Sequence, residues 1–154
     1  MERSKNIFDK IGSLIPGYRG YAERDGRRNC DKLLRNKISE EIIKCETSLN
    51  TRLQTEVKSN NLDSLQDLEE CRQKLNTLSE KIKYSPYGES SFFGDSQIKE
   101  DELQKIYQLD YDILLFTNKF LDDIPNLEIA DILVFIDSLT SMLEDRNNFI
   151  KEHK

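Results

Sequence analysis

Residues 62–83 read LDSLQDLEECRQKLNTLSEKIK, and the spacing inside them decides the fold class. Leu68, Cys71, Leu75, Leu78 and Ile82 recur at steps of three and four. That period lines up side chains on one stripe of an α-helix and forms a heptad seam of the coiled-coil kind. Three heptads are too few for a free-standing coiled coil, so the expectation is a hairpin inside a bundle. Immediately upstream, Ser59-Asn60-Asn61 reads as a turn, and before it runs a second stripe of Leu34, Ile38, Ile42, Cys45, Leu49, Leu53 and Val57. A helix is expected over 19–58, with Gly26 as a candidate kink, because Gly costs ~1 kcal/mol against Ala in a helix interior. The short turn makes the two helices antiparallel neighbours. Residues whose numbers sum to about 120 then face each other, which sets Cys45 by Leu75 and Cys71 by Leu49.

The same periodicity continues outward. Leu103, Ile106, Ile113, Phe120 and Ile124, broadened by Leu109, Leu115 and Phe116, predict a well-buried helix over 99–123 that Pro125 stops. Ile129, Ile132, Leu133, Ile136, Leu139, Leu143 and Ile150 predict another over 127–151. At the other end, Ile7, Phe8, Ile11, Leu14 and Ile15 share one face of a short helix over 6–15, with Lys5 and Lys10 beside them, ended by Pro16-Gly17. The chain thus reads as all-α, an antiparallel helical bundle of two long hairpins plus a short N-terminal helix. Its expected organisation is one helical domain: an amphipathic segment 1–18, a hairpin 19–83, an aromatic loop 84–98 and a second hairpin 99–154.

Composition agrees with helices carrying one apolar stripe and a broad wet face: 34% of residues are charged and 36% hydrophobic. Three Pro and six Gly are few for a β-sandwich or barrel. The net charge of −6 argues against nucleic acid as a partner of the whole surface. The charge is uneven, however. Residues 1–37 hold ten Lys and Arg against five Asp and Glu, a balance of +5, which leaves 13 against 24, or −11, for the rest. Cys30, Cys45 and Cys71 show neither C-x-x-C nor metal-ligand spacing. With no signal-peptide pattern ahead of them, they suggest a reducing cytoplasm.

The unusual residues gather at one end. A helix over 19–58 overhangs its partner by residues 19–36, roughly 25 Å at 1.5 Å per residue, and this stretch is poor in apolar side chains. The loop containing Phe92 and Phe93 starts at the base of that overhang. Leaving both rings exposed would forgo ~3–6 kcal/mol of burial, so Tyr18, Tyr21 and the overhang are their expected cover. Asp110 interrupts the apolar stripe between Ile106 and Ile113, and a buried carboxylate needs a cation; Arg28 or Arg35 is the expected partner. The resulting cluster is Tyr18, Tyr21, Arg27, Arg28, Asp31, Arg35, Phe92, Phe93, Tyr107 and Asp110, read either as an interaction site or as the packing of a bundle end.

Two of these stretches carry a resemblance. Ile15-Pro16-Gly17-Tyr18-Arg19-Gly20-Tyr21 with Arg27-Arg28, Asp31-Lys32 and Arg35, and Tyr87-Gly88-Glu89-Ser90-Ser91-Phe92-Phe93-Gly94-Asp95 before Leu103, Tyr107 and Asp110, resemble an uncharacterised family of small bacterial all-helical proteins. That family has a Pro-Gly-Tyr-x-Gly-Tyr motif and an aromatic Tyr-Gly…Phe-Phe loop. Glu89-Ser90-Ser91 and Gly94 depart from its pattern. The resemblance implies a bacterial source and a helical fold, and carries no activity.

Familiar catalytic patterns are missing. The one histidine, His153, stands next to the last residue, which argues against a His-centred triad. No Glu-x-x-His unit of a di-metal bundle and no phosphate-binding Gly-rich loop occurs. Acidic pairs one turn apart, such as Asp67 and Glu70, read as solvated faces. The expectation is a non-catalytic protein-interaction or scaffold module without cofactor or metal, whose partner is another protein or a second copy of itself. One alternative is peripheral attachment to the inner membrane face through Ile7, Phe8, Ile11, Leu14 and Ile15. The other is nucleic-acid binding through the Arg-rich segment 19–37, opposed by Glu23, Asp25 and Asp31 within it.

Overall fold

The computed structural model describes residues 6–84, 91–94 and 97–152. Among the described residues there are five α-helices: α1 (Ile7–Leu14), α2 (Arg27–Lys58), α3 (Leu62–Lys83), α4 (Glu100–Asp123) and α5 (Ile129–Glu152). Single 3-10 turns occupy Ser91–Phe93 and Ile124–Asn126, and the described residues contain no strand. Helix α2 packs against α3 and α4, and α5 closes the ring against α4 and α3, giving an all-α bundle of two hairpins. Helix α1 lies on α4.

The α2–α3 turn shows why the hairpin is tight. Asn60 takes a left-handed φ of 57°, its N–H donates to the Val57 carbonyl, and the Asn61 N–H reaches back to the Glu56 carbonyl. This pattern closes a helix at a left-handed residue and satisfies its orphan carbonyls. The register follows. Ser39 Oγ donates to the Ser79 carbonyl and Arg72 pairs with Glu46, so facing residues sum to 118. Along the seam Cys45, Leu49, Leu68, Cys71 and Leu75 are fully buried.

Three expectations need correction. Helix α2 begins at Arg27, not at residue 19, because Gly20 and Gly26 both adopt left-handed φ, 81° and 103°. At Gly20 no side chain could fit: a Cβ would strike the Tyr107 hydroxyl and stand 2.7 Å from the Phe8 ring. The overhang beyond α3 is therefore only about two turns of helix, with residues 19–26 folded over its end. On α4, Leu115 is exposed while Leu114 and Thr117 face inward. On α2 the stripe frays toward the turn, where Val57 is exposed.

The apolar face of α1 is turned onto the bundle. Ile11 and Ile15 are buried, Ile7, Phe8 and Leu14 pack beside them, and the Phe8 ring lies 5.9 Å from Tyr18 and 5.8 Å from Tyr107. Asn6 caps this helix by accepting the Asp9 N–H at 2.8 Å. No helix among the described residues is long and apolar enough to cross a membrane.

Candidate functional site

Asp110 projects from the middle of α4 into the core and is fully buried. Its partner is Arg146 of α5, which corrects the expected pairing with Arg28 or Arg35. Arg146 Nε donates to Asp110 Oδ1 at 2.5 Å, and Arg146 Nη2 donates to Asp31 Oδ1 at 2.7 Å and to the Tyr21 hydroxyl at 3.2 Å. The Tyr21 hydroxyl in turn donates to Asp110 Oδ2 at 2.7 Å. Arg35 takes the other oxygen of Asp31 at 2.8 Å, and its Nη1 caps the end of α3 through the Ile82 and Lys83 carbonyls, both at 3.0 Å. Two carboxylates and two guanidinium groups from α2, α4 and α5 thus form one charge-balanced network, with a tyrosine from the preceding turns bridging it.

The turn at residues 19–26 is held by the same residues. Tyr107 Oη accepts the Tyr21 N–H at 2.9 Å. Arg27, buried at the start of α2, donates from Nε to the Tyr21 carbonyl at 2.8 Å and reaches the Gly94 carbonyl at 3.5 Å. Tyr21 is therefore fixed at its N–H, carbonyl and hydroxyl. Around it stand Phe93 at 5.4 Å, Tyr107 at 5.7 Å and Tyr18 at 6.2 Å between ring centroids, and Phe92 bridges from Phe93 to Phe149 of α5. Phe92 and Phe93 are buried. Such ring contacts contribute about 0.5–1.5 kcal/mol each beyond the area they bury.

The electrostatics follow from dryness. Burial, and then the Asp110 charge, push the Tyr18 and Tyr21 hydroxyls well above the usual phenol range. Burial also raises the Asp110 carboxyl, against the pull of Arg146. Burial lowers the Arg146 guanidinium, but Asp110 and Asp31 outweigh that and hold it well above its ordinary value. The Cys30 thiol is pushed up to about 12 by burial and then by Asp110. The Tyr18 hydroxyl is buried and has no hydrogen-bond partner among the described residues. The two phenols, the Cys30 thiol and the Arg146 guanidinium thus keep their protons at neutral pH.

Of the ten residues expected to cluster, nine meet here, while Arg28 is solvent-exposed. Tyr87, Gly88, Glu89 and Ser90 of the aromatic loop, Asp95, Lys5 and His153 lie outside the described residues. Arg146 was missed, although its signal was present. It occupies the stripe position between Leu143 and Ile150 on α5, just as Asp110 interrupts the stripe of α4. Asp31 continues the α2 stripe below Leu34 in the same way. Arg52 was missed as well; its Nη1 donates to the Ile124 and Leu127 carbonyls, at 3.1 and 2.5 Å, and ties the α4–α5 connection to α2.

Beside the network, the bundle opens. A cleft of about 430 Å³ lies between α2, α3 and α5, floored by Ile38, Leu78, Ile82 and Leu143. Through Leu78, Lys81 and Thr140 it continues into a shallower groove along α3 and α5, bounded by Glu70, Lys74 and Asp137. No protein-family model, no curated protein and no solved structure matches the chain. The class that fold and site define is an all-α helical bundle with a buried ionic network at one end.

Proposed function

We propose that this chain is a non-catalytic helical interaction or scaffold module with a protein as its partner, from a bacterium as the family resemblance implies and cytoplasmic as its cysteine pattern suggests. The observation that carries this reading is the groove along α3 and α5. Its floor is apolar, with Leu78 and Ile136 buried beneath it, and its rims mix cations and carboxylates, Lys74 and Lys81 with Glu70 and Asp137. An amphipathic helix seats in such a groove by burying one face and matching charge along the edges. The ionic network supports the same reading from the other side, because its members spend their charges on one another and orient helices.

The alternatives have less to stand on. The face that would meet a membrane, Ile7, Phe8, Ile11, Leu14 and Ile15, packs on α4 and the turns beside it. Of the arginines that would meet nucleic acid, Arg27 and Arg35 bond inward.

The test is affinity capture from a native lysate with the intact chain and with Lys74→Glu/Lys81→Glu. The expected result is a protein retained by the first and lost by the second, with helicity and melting temperature unchanged. Equal capture by both forms would rule out the groove. Light scattering of the purified chain separates self-association from a foreign partner.

A further inference from the structure

We propose that the cleft between α2, α3 and α5 binds a small monocarboxylate with an apolar body. This goes beyond the interaction reading and does not rest on it. The argument starts from hydrogen-bond accounting. Arg146 is 2% exposed and lines the cleft. Its Nε and Nη2 are spent on Asp110, Asp31 and Tyr21, but its Nη1 donates to no acceptor among the described residues. Arg35 repeats the pattern: Nε goes to Asp31 and Nη1 to two carbonyls, while Nη2 donates to none among the described residues. Both guanidinium groups are anchored on the same carboxylate, one on each oxygen of Asp31, and both line the same cleft.

These N–H groups open onto the cleft, and the acceptor that suits the planar edge of a guanidinium best is a carboxylate. The size of the charge is also set. Asp31 and Asp110 already balance Arg35 and Arg146, and Glu144 opposes Lys81, so the surroundings of the cleft are neutral before a ligand enters. One negative charge is accommodated, whereas a dianion would meet Glu144 and two buried carboxylates. The remaining wall is Ile38, Leu78, Ile82 and Leu143, which asks for an apolar body. The cavity of about 430 Å³ lies within the range of roughly 300–1,000 Å³ usual for small-molecule sites.

The experiment is a titration of the full chain, methyl-labelled at Ile and Leu, with octanoate and with octanol, followed by NMR. Octanoate should give saturable shifts confined to the methyls of Ile38, Leu78, Ile82 and Leu143, and octanol should bind at least ~10-fold more weakly, the loss expected for a charge-assisted hydrogen bond. Thr140→Trp fills the mouth of the cleft without touching an ion pair and should abolish the shifts. Arg35→Gln should bring octanoate down to the affinity of octanol while the protein stays helical. Equal response to the two probes, shifts spread over the whole molecule, or binding that survives Thr140→Trp would overturn the proposal.

Discussion

The two ends of the α2–α3 hairpin solve the same packing problem with opposite chemistry. Toward the Asn60 turn, Cys45, Leu49, Leu68, Cys71 and Leu75 meet as a dry apolar seam. At the far end the core holds the charged Asp31, Asp110 and Arg146 and the neutral Tyr21 hydroxyl, equally buried but hydrogen-bonded to one another. An apolar seam is attractive in any arrangement that removes its area from water. An ionic network is favourable only when each donor finds its acceptor, because an unmatched buried charge is strongly destabilising. The seam therefore supplies affinity between neighbouring helices. The network discriminates among ways of placing α2, α4 and α5, and it brings residues 19–26 down onto their ends.

The largest expected effect comes from alkali, which attacks both ends. Burial, first among the causes, pushes the Cys30 and Cys45 thiols up to about 12 and Cys71 to about 11, from an ordinary 9.0. The folded chain thus keeps protons that the unfolded chain releases. The stability they provide is complete below about pH 9 and is lost as pH rises through the folded values. Each group removes about 1.4 kcal/mol per pH unit in that window, and the buried tyrosines add to this above about pH 10 at the ionic end. Urea melts across the range should show a falling midpoint, with amides of residues 19–31 exchanging before those of the seam; a flat midpoint would contradict the burial of the thiols.

Next in size is Arg146→Met, which leaves Asp110 without a cation and Asp31 with Arg35 alone, and should cost about 3–5 kcal/mol. The comparison sharpens if Asp31→Leu and Asp110→Leu are added. The triple variant should regain much of the loss in denaturant stability yet show poorer dispersion of the Tyr21 and Phe93 ring resonances, separating specificity from stability. A triple variant as unstable as Arg146→Met would mean that the network itself provides the stability.

At the dry end, Leu75→Ala should cost about 2–4 kcal/mol through lost burial and a cavity, and hydrogen exchange should rise along α3 while Tyr21 stays in place. Gly20→Ala should cost about 2–3 kcal/mol, from left-handed strain and collision with Phe8 and Tyr107; a melting temperature equal to that of the parent would refute the packing of α1. The smallest effect belongs to Arg52→Met, about 1–2 kcal/mol for two charge-assisted bonds to carbonyls, read by urea denaturation as a modest shift confined to the α4–α5 connection.

Much of the molecule was legible in the chain. Steps of three and four placed α3 at 62–83 and located α4 and α5 within two residues at each end, because helix period and burial are written locally. The hairpin register followed from a short turn. The helix expected over 19–26 failed because Gly20 and Gly26 took left-handed conformations; at Gly20 the reason is tertiary, the closeness of Phe8 and Tyr107, whereas open space surrounds Gly26. At Asp110 the interrupted stripe foretold burial, but not which cation would answer it, since Arg28, Arg35 and Arg146 are indistinguishable as charges.

What the sequence by itself determined is therefore the set of helices, their apolar faces and the pairing of α2 with α3. Each of these depends on residues within a turn or two of one another. What only the tertiary structure decided is that Arg146 reaches across 36 residues to Asp110 and 115 to Asp31, and that Tyr21 is locked between them. Those choices depend on which helices become neighbours, and the geometry that makes a buried charge pair acceptable exists only once they do.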